Sequence, residues 1–81
     1  MPSTLLFFAR ARDLAGTDRA RLEGPPPATV GELRRVLLDR YPALAPIAPH
    51  LLIAVNQAYA QDPDSIPDGA EIAVFPPVSG G

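Results

Sequence analysis

Thr29-Val-Gly-Glu-Leu-Arg-Arg-Val-Leu-Leu-Asp-Arg-Tyr41 is the stretch on which the fold turns. Val30, Leu33, Leu37 and Tyr41 recur at spacings of three and four, and Val36 widens the stripe, so the segment reads as a helix with one apolar face. Glu32, Arg35 and Asp39 lie toward the other side. Thr29-Val-Gly-Glu32 fits a capping box: the Thr29 hydroxyl can accept from the Glu32 amide while the Glu32 carboxylate reaches back. Gly24-Pro-Pro-Pro27 ahead of it cannot be strand interior, because proline lacks the ladder donor. Pro42 ends the helix, since the residue before a proline disfavours helical dihedrals. This is the clearest helical pattern in 81 residues, so the strands around it must share it.

Ser3–Ala9 is a short run rich in large apolar side chains and reads as a strand. Arg10–Gly16 reads as a polar, alanine-containing connection with room for one helical turn, closed by Gly16. Asp18–Leu22 alternates, with Arg19 and Arg21 on one face and Ala20 and Leu22 on the other, and pairs antiparallel with the first strand. Beyond the helix, Pro46 and Pro49 bracket an irregular connection that holds His50. Leu51–Val55 is a buried-type strand, Asn56-Gln57 a two-residue turn and Ala58–Ala60 a short return. Asp62–Gly69 is a polar loop ending in the turn Pro67-Asp68-Gly69. Glu71–Phe75 is the last strand. The class is α+β, with one main helix packed on one face of a sheet of four to five strands.

The strands at 5–9, 51–55 and 71–75 are apolar on both sides of their alternation. Leu6 and Phe8 oppose Leu5 and Phe7; Ile53 and Val55 oppose Leu52 and Ala54; Ile72 and Val74 oppose Ala73 and Phe75. One helix stripe buries only one of these sets. The other is either a docking surface or is covered by the Ala43–Pro49 connection. Phe7 and Phe8 read as core rather than as a stacking platform, and His50 as solvated or structural.

Composition removes many functions. There is no cysteine, so no disulfide and no thiolate metal site, and the one histidine is too few for a multi-histidine site. There is no lysine, which excludes Schiff-base chemistry and a P-loop. No metal ligand set is expected. A net charge of −2 argues against nucleic acid as a partner. Residues 1–40 hold all seven arginines and five acids, whereas 41–81 hold four acids and no arginine. No apolar run is long enough for a membrane span, and no leader is evident, so a cytoplasmic location without membrane association is expected. The acids are scattered at turns, and no side-chain constellation suggests catalysis.

The chemistry is expected at the end of the chain. Residues 1–75 form the domain and 76–81 a flexible tail, Pro76-Pro-Val-Ser-Gly-Gly81. Glycines without Cβ atoms can enter a channel too narrow for other residues. The proline pair keeps the root extended and lowers the entropy lost on threading. The Gly81 carboxylate is a poor electrophile until activated, and adenylation by ATP is the biological route. This chain has no ATP site, so a partner must supply one. The acyl-adenylate can pass to an amine, giving an amide, or to a sulfur donor, giving a thiocarboxylate. Without cysteine, any sulfur carried must sit on the terminus itself.

Leu6-Phe-Phe-Ala-Arg-Ala-Arg-Asp-Leu-Ala-Gly16, Thr29-Val-Gly-Glu-Leu33, Val55-Asn-Gln57 and Phe75-Pro-Pro-Val-Ser-Gly-Gly81 together resemble the MoaD-type sulfur carriers, the small subunits of molybdopterin synthase, in the ubiquitin-like β-grasp superfamily. The likeness spans essentially the whole chain, and the last motif is its most specific part. Ala70 stands where the family often has an acid. The resemblance implies a β-grasp fold with the first and last strands paired in parallel at the sheet centre. It implies that Gly81 is adenylated by a ubiquitin-activating-like enzyme, which uses the ATP, and is converted by a sulfur donor to a thiocarboxylate. Gly80, Ser79, Val78, Pro77 and Pro76 would thread into the synthase large subunit, in a heterotetramer of two small subunits on a large-subunit dimer. There the sulfur would pass to cyclic pyranopterin monophosphate. This chain would bind no cofactor and have no activity alone. Phe75 and Phe7 are expected at the partner interface. The competing readings are a carrier for thiamine or another sulfur-containing product, a ubiquitin-like modifier of lysines, and an interaction module with an inert tail.

Overall fold

A computed structural model describes residues 2–77 of the chain. Along the sequence run β1 (Ser3–Phe7), α1 (Ala9–Ala15), β2 (Arg19–Leu22), α2 (Val30–Arg40), 3₁₀ turns at Pro42–Leu44 and Ala48–His50, β3 (Leu52–Val55), β4 (Ala58–Ala60) and β5 (Glu71–Phe75). The strands form one mixed sheet in the order β2-β1-β5-β3-β4. β1 and β5 are parallel, with Leu5 beside Ile72 and Phe7 beside Val74. The remaining pairs are antiparallel. The fold is the expected β-grasp, with the first and last strands adjacent in the sheet and β5 at its centre.

The α2 stripe packs as its periodicity predicts. Val30, Leu33 and Leu37 are fully buried against Leu5, Phe7, Ile53, Ile72 and Val74. Burying a side chain of this size contributes about 1.5–3 kcal/mol, so this layer is the main source of stability. Tyr41 closes its end, with its ring edge-on to Phe7 at 5.1 Å between centroids.

The start of α2 is more elaborate than a capping box. The Glu32 amide donates to Thr29 Oγ1 at 3.3 Å, as expected. The Glu32 carboxylate instead accepts from the amide of Ala28, at 3.0 Å. A helix leaves its first amides without internal partners, and two of them donate here to the 61–69 loop: Val30 N to the Asp64 carbonyl and Gly31 N to the Asp62 carbonyl, both at 3.0 Å. Gly31 lies against this loop: a Cβ there would sit at van der Waals contact, 3.4 Å, from both the Asp62 carbonyl oxygen and its Cβ. Arg34 fastens the same region. Its Nε pairs with Asp62 Oδ1 at 2.7 Å, and its Nη1 donates to the carbonyls of Leu51 at 2.6 Å and Ala48 at 3.3 Å.

Two expectations change. Ala9–Ala15 is a two-turn helix rather than a polar connection, and β1 stops at Phe7. Ala11 is fully buried, Leu14 and Ala15 pack on the core, and Gly16 caps the helix at φ 79 by donating to the Arg12 carbonyl. Small residues at the contact allow so short a helix to lie close to its neighbours. The Ala43–Pro49 connection does not cover the second face of the sheet. Leu44 is fully buried in the same core as α2, Ala48 is 8% exposed, and Ile47 packs against that core. Ala70, where the resembled family often has an acid, is 1% exposed and belongs to the core.

Candidate functional site: the open sheet face at the root of the tail

With both helices and the 3₁₀ turns on one side, the other side of the sheet lies open. Pairing register places its residues in rows, because side chains directly opposite share a face. Arg19 sits across from Leu6, Leu6 beside Ala73, Ala73 across from Ala54, and Ala54 across from Tyr59. The next row toward the end of β5 holds Phe8, Phe75 and Leu52. In the opposite direction the row turns polar, with Arg21 across from Thr4 and Thr4 beside Glu71. The apolar part of the face therefore borders the point where the chain leaves the sheet.

Three aromatic rings dominate this part. Phe8 stacks on Phe75 with centroids 4.8 Å apart and planes 11° from parallel. Tyr59 leans toward Phe75 at 6.1 Å and 54°. Phe8 is 41% exposed and Tyr59 74%. With Leu6, Ala54 and Ala73 they line a shallow depression of about 310 Å³. Large exposed aromatics rimmed by polar groups mark an interaction surface on a soluble protein.

Local backbone chemistry holds these rings in place. Asn56 and Gln57 both take positive φ, 50° and 71°, the two-residue turn that matches strand twist. That turn sets β4 in register, placing Tyr59 opposite Ala54. Asn56 also ties the hairpin to the start of β5. Its amide donates to the Glu71 carbonyl at 2.8 Å, and its Oδ1 accepts from the Glu71 amide at 2.9 Å. At the other end the Phe8 amide donates to the Val74 carbonyl at 3.1 Å. Ala9 then adopts φ 52°, which breaks the chain from β1 into α1 directly after the Phe8 ring. A left-handed residue with a Cβ costs about 1–2 kcal/mol, a cost accepted here at the aromatic stack.

The structure divides the expected site residues. Phe75 lies on the open face, half-buried under its aromatic neighbours. Pro76 and Pro77 follow it directly and are half-buried. Val78, Ser79, Gly80 and Gly81 lie outside the described residues. Phe7 must be corrected: it is 2% exposed and belongs to the core. The reason is register. In the parallel pair Phe7 falls beside Val74, on the α2 side, so its neighbour Phe8 is the one that meets Phe75. Phe8 is thus a surface stacking residue rather than a core one. Tyr59 and Leu6 were not singled out for an interface, although alternation had already put Leu6 on the face of Phe8. His50 is exposed in the second 3₁₀ turn. Among the described residues no group of histidines and acids could hold a metal ion, and no helix is long and apolar enough to cross a membrane.

Architecture and site together define a ubiquitin-like β-grasp protein whose central strand ends at an open aromatic face and leads into a Gly-Gly tail. The chain belongs to the ThiS family, whose model matches residues 5–81. It is 42% identical over 79 residues to the molybdopterin synthase sulfur carrier subunit of Caenorhabditis briggsae, covering 95% of this chain and 94% of that protein. Among solved structures it is similar to a putative molybdopterin converting factor subunit 1 from Pyrococcus furiosus, with 30% identity, a TM-score of 0.80, and 96% and 99% of the two chains covered. It is also similar to small archaeal modifier protein 1 of Haloferax volcanii, with 27% identity, a TM-score of 0.79, and 95% and 98% covered.

Proposed function

We propose that this chain is the sulfur carrier of molybdopterin synthesis, with the C-terminal carbonyl of Gly81 as the carrying atom. The observation that supports it most is the continuity of the aromatic face with the root of the tail. A partner that seats on Phe8, Tyr59 and Phe75 receives the residues after Pro77 without reorienting the domain. In this reading an adenylating partner of the ubiquitin-activating type attaches AMP to the Gly81 carboxylate, releasing pyrophosphate from ATP. A sulfur donor then displaces AMP and leaves a thiocarboxylate. The large subunit of molybdopterin synthase takes up the tail, and the sulfur passes to cyclic pyranopterin monophosphate. Both partners use the same face in turn, because the tail has one root. The contribution of the domain is placement: stiff prolines at the root cut the entropy lost on threading, and the aromatic rings anchor the complex.

The test is reconstitution. The chain is incubated with an adenylating enzyme, MgATP and a sulfur source, and its intact mass is read for exchange of one oxygen for sulfur. The product is then mixed with the synthase large subunit and cyclic pyranopterin monophosphate, and dithiolene formation is measured. An unmodified carboxylate under these conditions, or a thiocarboxylated chain that converts no precursor, overturns the proposal. The similarity to a protein named as a modifier favours a second reading, in which the activated tail is passed to lysines of other proteins. Conjugates that disappear with Gly81 would establish that reading.

A further inference from the structure

An open sheet leaves backbone donors and acceptors unpaired along each edge, and the two edges of this sheet differ. At β2 the Phe7 amide donates to the Asp18 carbonyl at 2.9 Å. Antiparallel bonding alternates, so Ala20 and Leu22 also bond to β1, whereas Arg19 and Arg21 point their backbone groups outward. Side chains occupy most of these. Thr17 Oγ1 donates to the Arg19 carbonyl at 2.8 Å and accepts from the Arg19 amide at 3.3 Å. Arg40 Nη1 donates to the Arg21 carbonyl at 3.3 Å. No residue of β2 therefore keeps both a donor and an acceptor free for a further strand. At the other edge the Asn56 amide donates to the Glu71 carbonyl, so Ala54 and Leu52 bond to β5, and Val55 and Ile53 bond to β4. Their partners in β4 are Ala58 and Ala60. Tyr59, between them, directs its N–H and C=O away from the sheet, and neither has a partner among the described residues. Beyond it the edge closes again: the Gln61 amide donates to Asp64 Oδ2 at 2.8 Å, and the Gln61 carbonyl accepts from the Asp64 amide at 2.9 Å.

We propose that a docked partner extends this sheet at β4: an extended backbone segment of the partner accepts from the Tyr59 N–H and donates to the Tyr59 C=O. The inference rests on the docking of the aromatic face described under the proposed function, and it states what the partner must bring to that face. The features meet in one residue. The Tyr59 ring is 74% exposed and leans toward Phe75 on the open side, while its backbone is the open point of the edge. An antiparallel segment satisfies both groups with a single residue of its own. Side chains directly opposite across a strand pair share a face, so the partner residue that pairs with Tyr59 lies over the open face beside its ring. That residue is apolar or aromatic, and it is not proline, which has no N–H to give. Pairing stops there, because the Gln61 groups are already taken. Two backbone bonds carry little sequence specificity, but they fix the angle at which the partner meets the sheet, and the rings supply the contact area.

The test reads single amides. The isotope-labelled full chain is mixed with the synthase large subunit, and exchange of each amide with deuterium is followed by NMR in the free chain and in the complex. The Tyr59 amide is expected to exchange at nearly the rate of an unstructured peptide in the free chain and at least about a hundredfold more slowly in the complex. The Ala60 amide, bonded to Ile53, is slow in both and reports that the hairpin is intact. Tyr59→Ala and Tyr59→Pro both remove the ring, but only the second removes the donor, and an outward-facing N–H on an edge strand is a position where proline is tolerated. By titration calorimetry the proline variant is expected to bind about tenfold more weakly than the alanine variant. A Tyr59 amide that exchanges as fast in the complex as in the free chain overturns the inference, as do equal affinities for two variants that both keep the slow Ala60 amide. Either result leaves the carrier reading standing, since sulfur transfer is measured separately. A large subunit that does not bind the chain at all overturns both.

Discussion

Two adjacent phenylalanines with opposite surroundings give the sharpest test of the proposed site. Phe7 is 2% exposed and packs edge-on against Tyr41. Phe8 is 41% exposed and stacks on Phe75. Phe7→Ala removes a fully buried ring and leaves a cavity, at a cost of about 3–5 kcal/mol. That is a large share of the roughly 4–12 kcal/mol expected for 81 residues. Phe8→Ala removes about half the buried area, roughly 1 kcal/mol, and an aromatic pair of about 0.5–1.5 kcal/mol, so about 2 kcal/mol in all. For the partner complex the order reverses. Phe8 is an exposed anchor beside the tail root, and its truncation is expected to weaken binding to the synthase large subunit by about 2 kcal/mol, roughly thirtyfold. Phe7→Leu, which keeps the core filled, should leave binding within twofold. Urea unfolding measures the first pair of numbers and titration calorimetry at a temperature where each variant is folded measures the second. If Phe8→Ala costs as much stability as Phe7→Ala, or binds as tightly as the unaltered chain, the assignment of the open face fails.

Deleting Gly81 should abolish sulfur transfer while moving unfolding free energy by no more than about 0.5 kcal/mol, because the last strand ends at Phe75; a collapse in melting temperature would show that the terminus is structural. Gln57 holds φ 71° without needing its Cβ there, so Gln57→Gly should stabilise by about 0.5–1 kcal/mol in urea titration, and a loss instead would mean that its side chain packs where the turn argument leaves it idle. The Ser3 hydroxyl is fully buried with no hydrogen-bond partner among the described residues, so Ser3→Ala should be neutral or stabilising by up to about 1 kcal/mol; destabilisation beyond that would require a partner for the hydroxyl.

Much of this was legible in the sequence because local chemistry and global packing agree. The α2 stripe, the Thr29 cap, the Asn56-Gln57 turn and the antiparallel first pair all rest on short-range patterns, and each is found. What failed needed information that alternation does not contain. Alternation assigns Phe7 and Phe8 to opposite faces, but only the parallel register, Phe7 beside Val74, says which of them meets Phe75. Helix α1 was hidden because its buried residues are mainly alanines, whose periodicity hardly registers beside Arg10, Arg12 and Asp13. The destination of Leu44 depended on which side the 3₁₀ turns take, and proline spacing is silent on that. The tail motif is a reading of chemistry, and its residues 78–81 lie outside the described residues.

The open face follows from the size of the domain as much as from its function. A chain of 81 residues buries only a little over ~60% of the surface it exposes when unfolded. With α1, α2 and the 3₁₀ turns committed to one side of the sheet, no element of comparable size among the described residues lies on the other. Leaving that side uncovered is tolerable because its centre is small or thinly apolar, with Ala54 and Ala73 between the larger side chains. Phe8 and Phe75 lie at the end where the tail departs, and Tyr59 leans toward them from the neighbouring row. Core and interface therefore share β1 and β5 but use opposite faces, so residues at even and odd positions of the same strand can be substituted with separable effects on folding and on docking. On the proposed reading, a carrier that hands its terminus from one enzyme to another needs such a division. Its affinity for either partner can be tuned at Phe8, Tyr59 or Phe75 without drawing on the α2 layer that keeps it folded between encounters.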